Sequence, residues 1–254
     1  MVIPLKEEMM QQKRTIIWIL TSLIGAVLMS GCNTGITPLG GRYDLAEYLF
    51  PGEAGTLVYK VYTAQKAKGE SSYTQPEYQE DAQMTVAKTG NTTAVTDKSD
   101  AHKSNDYTVD SDRITVMEHD TNLTYHFDRT VSSVQNFVQE ATIKAWQEAH
   151  GDVTITYECN ATEHQESMVI DPDPKKYTDI LKIECVRKRI TSATVGTTHF
   201  ETVVEDAEEQ YYTQGGGMIQ STINTCQYTQ VDGVQESEEG CTQRTYKIWA
   251  FVTD

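Results

Sequence analysis

In Val153-Thr154-Ile155-Thr156-Tyr157-Glu158-Cys159, apolar and polar side chains alternate one by one, and the same period returns in Leu181-Lys182-Ile183-Glu184-Cys185. Successive side chains of an extended chain point to opposite faces, so a period of two commits both segments to strands with one buried face. Comparable stretches run over Thr56–Thr63, 83–88, 92–97, 105–110, Ile114–Glu118, Leu123–Phe127, Phe200–Asp206, Glu209–Thr213, Met218–Asn224 and Thr245–Val252. Turn chemistry separates them. Gly90-Asn91, Asp120-Thr121-Asn122 and Asp171-Pro172-Asp173-Pro174 read as turns, Gly215-Gly216-Gly217 as a bend or bulge, and Gln65–Asp81 as a long polar loop. With 34 Thr, 14 Tyr and only 6 Pro in 254 residues, the composition excludes collagen, a long coiled coil and a wholly disordered chain.

One segment breaks the period. Val134, Phe137, Val138, Ala141 and Ala145 follow helical spacing, Ser133 suits an N-cap and Gly151 a stop, which predicts an α-helix over 134–149 packed on the sheet. The fold expected is therefore mainly β: an antiparallel curved sheet, half-barrel or sandwich with one packed helix, forming a single domain over 42–254.

The N-terminus carries a different pattern. Lys13 and Arg14 precede an apolar run from Thr15 to Met29, followed at once by Ser30-Gly31-Cys32. This resembles a bacterial lipoprotein signal, in which a small-residue pair precedes a Cys that receives a diacylglyceryl group; Met29 stands where Leu is more usual. The resemblance implies a signal peptide over 1–31, a lipid on Cys32, a tether over 32–41 and an exported domain held on a membrane by its acyl chains. Met9 or Met10 could serve as the start instead of Met1. Asn33, where inner-membrane lipoproteins usually carry Asp, implies the outer membrane, with the domain in the periplasm or at the cell surface. The chain from Cys32 onward holds 18 basic and 35 acidic residues. A net charge of −17 excludes broad attraction to nucleic acid.

Cysteine usage agrees with export. Setting Cys32 aside leaves Cys159, Cys185, Cys226 and Cys241, an even number suited to an oxidising compartment. Strand parity puts Cys159 and Cys185 on the apolar faces of their strands, while Cys226 and Cys241 bracket a polar stretch with an Asp232-Gly233 turn. Of three connectivities, Cys159–Cys185 and Cys226–Cys241 is the one expected. Zinc is the competing use, but no pair has Cys-x-x-Cys spacing.

Tyr177-Thr178-Asp179-Ile180-Leu181-Lys182-Ile183, followed by Tyr211-Tyr212-Thr213-Gln214-Gly215-Gly216-Gly217-Met218-Ile219, resembles an uncharacterised family of bacterial exported β-domains. Tyr48-Leu49-Phe50-Pro51 through Tyr59 resembles the start of such domains. The resemblance implies one β-rich domain and supplies no activity.

Chemistry-bearing motifs are few. Gly215-Gly216-Gly217 lacks the Lys-Ser/Thr and helix of a phosphate loop. Glu118, His119, Asp120, His126 and Asp128 gather around one hairpin, but strand parity puts His126 and Asp128 on the solvated face, so no metal is expected there. The acidic runs 201–209 and 232–239 lack the ligand spacing of a calcium loop. Asn122 and Asn160 each sit in an acidic-x-Asn-x-Thr sequon and are candidate glycan acceptors. No catalytic constellation and no cofactor motif emerge.

Two functional classes remain. The first is a non-catalytic envelope lipoprotein whose β-domain binds an envelope protein partner or scaffolds an assembly. The second is a carrier of lipid or another apolar ligand in a half-barrel cavity lined by Tyr125, Phe137, Val138 and Trp146. A filled interior would favour the first and an open one the second.

Overall fold

The computed structural model describes residues 36–38, 41–132, 142–148, 151–171 and 173–253. Its strands in chain order are β1 (Ile36–Pro38), β2 (Arg42–Asp44), β3 (Gly55–Lys66), β4 (Glu77–Thr89), β5 (Thr92–Asp97), β6 (Asp100–Val109), β7 (Arg113–Glu118) and β8 (Leu123–Asp128). They continue with β9 (Thr130–Ser132), β10 (Thr142–Glu148), β11 (Gly151–Ile170), β12 (Asp173–Val195), β13 (Thr198–Thr213), β14 (Gly217–Val231) and β15 (Val234–Thr253). A single 3-10 turn, Leu45–Glu47, follows β2.

All pairings are antiparallel. Thirteen strands form one sheet in the order β1-β11-β12-β13-β14-β15-β3-β4-β5-β6-β7-β8, with β10 also on β11, and β2 pairs separately with β9. Every neighbour on this path is joined by a hairpin except at β1–β11 and β15–β3, where the chain's last strand returns beside the first long one. The sheet is curved into a half-barrel. The curvature is visible in what packs together: Ile114, Val116, Leu123, Tyr125 and Phe127 of β7–β8 share one core with Ile155, Tyr157, Cys159, Leu181, Ile183 and Cys185 of β11–β12. Those strands stand far apart in the sheet order, so their apolar faces can meet only if the sheet curls over itself. A second cluster contains Leu57, Tyr59, Val86, Ile180, Ile219 and Ile248.

The alternation does what it predicts. Along β11, Val153, Ile155, Tyr157, Cys159 and Ala161 are buried, with more exposed residues between them. β11, β12, β14 and β15 are each 15 to 23 residues long, well beyond the usual strand. Bulges bend them, at Ala161/Glu163 on β11 and at Ile248/Ala250 on β15.

Three expectations need correction. The helix over 134–149 is not formed over its second half: residues 142–148 are strand β10, paired with β11 from Thr142↔Thr156 to Glu148↔Gly151. Residues 133–141 lie outside the described residues, as do 149–150. The cause is tertiary. The edge of β11 that faces away from β12 offers unpaired N–H and C=O groups, and pairing with them outweighs a modest helical preference in Thr142-Ile143-Lys144-Ala145-Trp146. The polar loop is shorter than 65–81, because β3 runs to Lys66 and β4 begins at Glu77. Phe200–Asp206 and Glu209–Thr213 are one strand, β13, since Ala207 and Glu208 pair across to both neighbours. The polar stretch between Cys226 and Cys241 is a hairpin that turns at Asp232-Gly233, as expected.

Both cysteine pairs are bonded as expected. Cys159–Cys185 and Cys226–Cys241 each join residues directly opposite in an antiparallel ladder, with Cα separations of 4.1 and 4.3 Å. Such short separations belong to non-hydrogen-bonded positions, where opposed side chains approach most closely. Cys159 and Cys185 lie in the core.

Candidate functional site

The concave interior is not filled. It leaves a cavity of about 800 Å³, partly open to solvent, reaching from β4–β5 across to β11–β13 and touched by Leu49 and Pro51. Residues 42–54, which carry those two side chains, close one end of the half-barrel. Asp44 accepts from Ala46 N–H (3.0 Å) and from the Arg129 guanidinium (2.7 Å to Nη2). Further along, Gly52 N–H donates to Gly215 C=O (2.9 Å), and Gly215 N–H donates to Glu47 C=O. Gly217, at φ +76°, lies against Pro51; a Cβ there would stand 2.8 Å from Pro51 Cδ, so this close approach requires glycine.

Strand parity aims an unexpected set of side chains into the cavity. On β12 the inward series Ile183-Cys185 continues to Arg187, on β13 Glu208, Gln210 and Tyr212 share the inner face, and on β7 Ile114-Val116 continues to Glu118. Arg187 donates to Glu118 in a close ion pair. Tyr125 O–H also donates to Glu118 Oε1 (3.0 Å), and Thr121 O–H donates to Oε2 (2.9 Å). The Arg187 guanidinium lies 4.8 Å from the centre of the Tyr157 ring, within cation–π range. Burial alone would pull the guanidinium down, but the Glu118 carboxylate and neighbouring tyrosines carry its net shift upward. Its Nε–H is shut from solvent and has no partner.

Glu208 behaves differently. Gln210 Nε2 donates to its Oε2 (2.6 Å), and Tyr212 O–H donates to Gln210 Oε1 (2.8 Å). Burial pushes the Glu208 carboxyl up to about 7, against the opposing pull of Arg187. Tyr107, Tyr157 and Tyr212 lie near this group, and burial raises these phenols and that of Tyr125 above their ordinary value. Tyr125 meets Tyr157 edge-on at 5.1 Å.

A second polar cluster sits beside the closing segment. Asp179 adopts φ +56°, a left-handed conformation that costs a non-glycine residue energy. Its Oδ1 accepts from Tyr48 O–H (2.8 Å) and pairs with His164 Nε2 (2.6 Å), while Tyr43 stacks on the His164 ring at 5.0 Å. Three segments distant in sequence are thus tied at one carboxylate.

The residues singled out from sequence fall as follows. Tyr125 lines the cavity. Phe137 and Val138 lie outside the described residues, and Trp146 is paired in β10 opposite Val153 rather than on a helix. Glu118, His119 and His126 do not converge: Glu118 turns inward, His119 Nε2 pairs with Asp106 (2.8 Å), and His126 Nδ1 pairs with Thr115 (3.0 Å). Among the described residues no group of three or more His, Cys, Asp or Glu could hold a metal ion. Asn122 is exposed at a hairpin tip with φ +52°, and Asn160 is partly buried opposite Glu184, next to the disulfide. Cys32 lies outside the described residues.

No family model matches the chain, and no curated protein matches it in sequence. Arg187, Glu208 and Glu118 were not foreseen as a group. Continuation of parity is a signal for two of them: Arg187 lies two residues beyond the inward Cys185 and Glu118 two beyond the inward Val116, whereas Glu208 is flanked at that spacing by Asp206 and Gln210 and carries no such signal.

Proposed function

We propose that this chain is a lipid-anchored, non-catalytic cell-envelope protein whose half-barrel holds a small, largely apolar ligand. The single observation that carries the ligand-holding part is the cavity of about 800 Å³, the size of sites that enclose drug-sized molecules. Closely packed interiors leave few voids larger than a water molecule. An interior left this open, walled by tyrosines and anchored by a few converged polar groups, has the composition of a binding site.

The anchor rests on the sequence. Lys13-Arg14, the apolar run to Met29 and Ser30-Gly31-Cys32 support acylation of Cys32, and Asn33 supports the outer membrane. Two bonded cysteine pairs fit an oxidising compartment. A second reading, a scaffold for an envelope protein partner, is favoured by one feature: Tyr78 of β4 and Trp249 and Val252 of β15 are large, exposed side chains on the two strands that flank β3.

The test is native mass spectrometry of the full chain purified from membranes, beside Asn105→Trp, which places a large ring on the cavity wall. The expected result is a small molecule bound near one equivalent to the wild type, released on denaturation and lost from the variant. A wild type free of any adduct, with a partner protein retained instead, contradicts the carrier and favours the scaffold.

A further inference from the structure

Resting on the ligand-holding reading, we infer that the cavity takes an organic cation: an alkyl or aromatic ammonium whose body lies among Tyr107, Tyr157 and Tyr212 and whose charged head meets Glu208. One charge on the inner wall is left over. Three charged groups occupy the inner wall, and two of them, Arg187 and Glu118, pair with each other. The Glu118 oxygens accept from Arg187, Tyr125 and Thr121. Arg187 is committed through Nη2 to Glu118, lies over Tyr157, and keeps its Nε–H sealed from solvent, so it presents little to an incoming anion. Glu208 is the carboxyl without a guanidinium of its own; the donor on it is the neutral amide of Gln210.

An ammonium suits this surrounding. Tyrosine faces attract a cation through their quadrupoles, most strongly where water is excluded. A carboxyl held near neutrality by burial gains from a cation that restores its charged form. The groups facing Glu208 are Arg187 of β12, Glu118 of β7, Tyr107 of β6, Tyr157 of β11, and Asp206, Gln210 and Tyr212 of its own strand. Arg187 is the one cation among them, and it is paired. The rim adds Glu80, Asp81, Asp97 and Asp120 against Lys98, Lys103 and Arg244, a net negative mouth on a chain of net charge −16, which concentrates cations at the entrance.

Calorimetric titration of the full chain in nanodiscs of zwitterionic lipid tests this with three probes of equal body: hexylammonium, hexanol and hexanoate. An alkylammonium stays charged well above neutrality, with a pKa near about 10, so any pH dependence reports the protein. Hexylammonium should bind roughly tenfold tighter than hexanol at about pH 8, and this preference should shrink to roughly twofold or less at about pH 5.5, where Glu208 is protonated. Glu208→Gln should remove the preference at both pH values while hexanol still binds, which shows the cavity intact; the wild-type pH ratio stands independently of that variant. Hexanoate binding as tightly as hexylammonium, or a preference unchanged by pH, overturns the cation while leaving a ligand-holding half-barrel. Absence of binding by all three overturns both.

Discussion

Glu118 is the residue on which most of the interior depends. It is 3% exposed and accepts from Arg187, Tyr125 and Thr121 at once, so removing its charge strands a guanidinium in the cavity wall. Losing one member of a buried ion pair costs about 3 to 5 kcal/mol. Glu118→Gln should lower unfolding stability by an amount in that range, read from chemical denaturation, while Glu118→Gln with Arg187→Met should recover much of it. Glu208 acts in the opposite sense. Its folded carboxyl, raised from 4.5 to about 7, binds a proton more tightly than in the unfolded chain. Its stabilising contribution is therefore complete below about pH 4.5 and lost as pH rises towards 7. Wild type should lose stability relative to Glu208→Gln between those pH values, and a difference that stays flat across the window would contradict the buried placement of Glu208. In sequence, both residues look like ordinary surface acids. Parity reveals Glu118, two residues beyond the inward Val116 of β7, but not Glu208, whose neighbours at that spacing are Asp206 and Gln210.

Hairpins are the elements that hold the half-barrel in shape, and each cross-strand disulfide fixes one register. The Cys226–Cys241 bond closes a separation of 15 residues, worth about 3 kcal/mol by chain entropy; replacing both by Ser should cost about that in a denaturation experiment without loss of strand content. The Cys159–Cys185 pairing was legible because alternation puts both on apolar faces, and the Cys226–Cys241 pairing because the two bracket an Asp232-Gly233 turn. Gly151 opens β11 at φ +144°, where a Cβ would collide with the Ser192 carbonyl oxygen across the ladder. Gly151→Ala should destabilise the domain by about 1 kcal/mol or more, seen as a lower thermal midpoint, with β10–β11 exchanging amide hydrogens fastest. The same region is where local pattern misled. Spacing in 134–145 suits a helix, yet Thr142–Glu148 extends along β11, because an open strand edge is a long-range feature that a window of a dozen residues does not contain.

At the scale of the whole molecule, a proposed lipid anchor on Cys32 precedes the segment 42–54 and an open interior. The closing segment 42–54 follows the proposed tether directly and is held by Asp179, whose left-handed backbone and three-way contact with His164 and Tyr48 fix Tyr48 into the core. Asp179→Ala should loosen that segment without unfolding the long hairpins, so amide exchange should rise over 45–52 and stay unchanged over β13–β15; a uniform rise would instead mean global destabilisation. The curved, antiparallel character of the sheet was readable from strand number and turn spacing, but its closure between the C-terminal strand and β3 was not, since pairing partners so far apart leave no local signal. The central claim is that this interior is a vessel rather than a packed core. It is tested most directly by a crystal structure of the chain purified from the cells that make it, with no ligand added. The account predicts non-protein electron density between Glu208 and the tyrosines of β6, β11 and β13, whereas an interior closed by the chain's own side chains, with no room for a bound molecule, would contradict it.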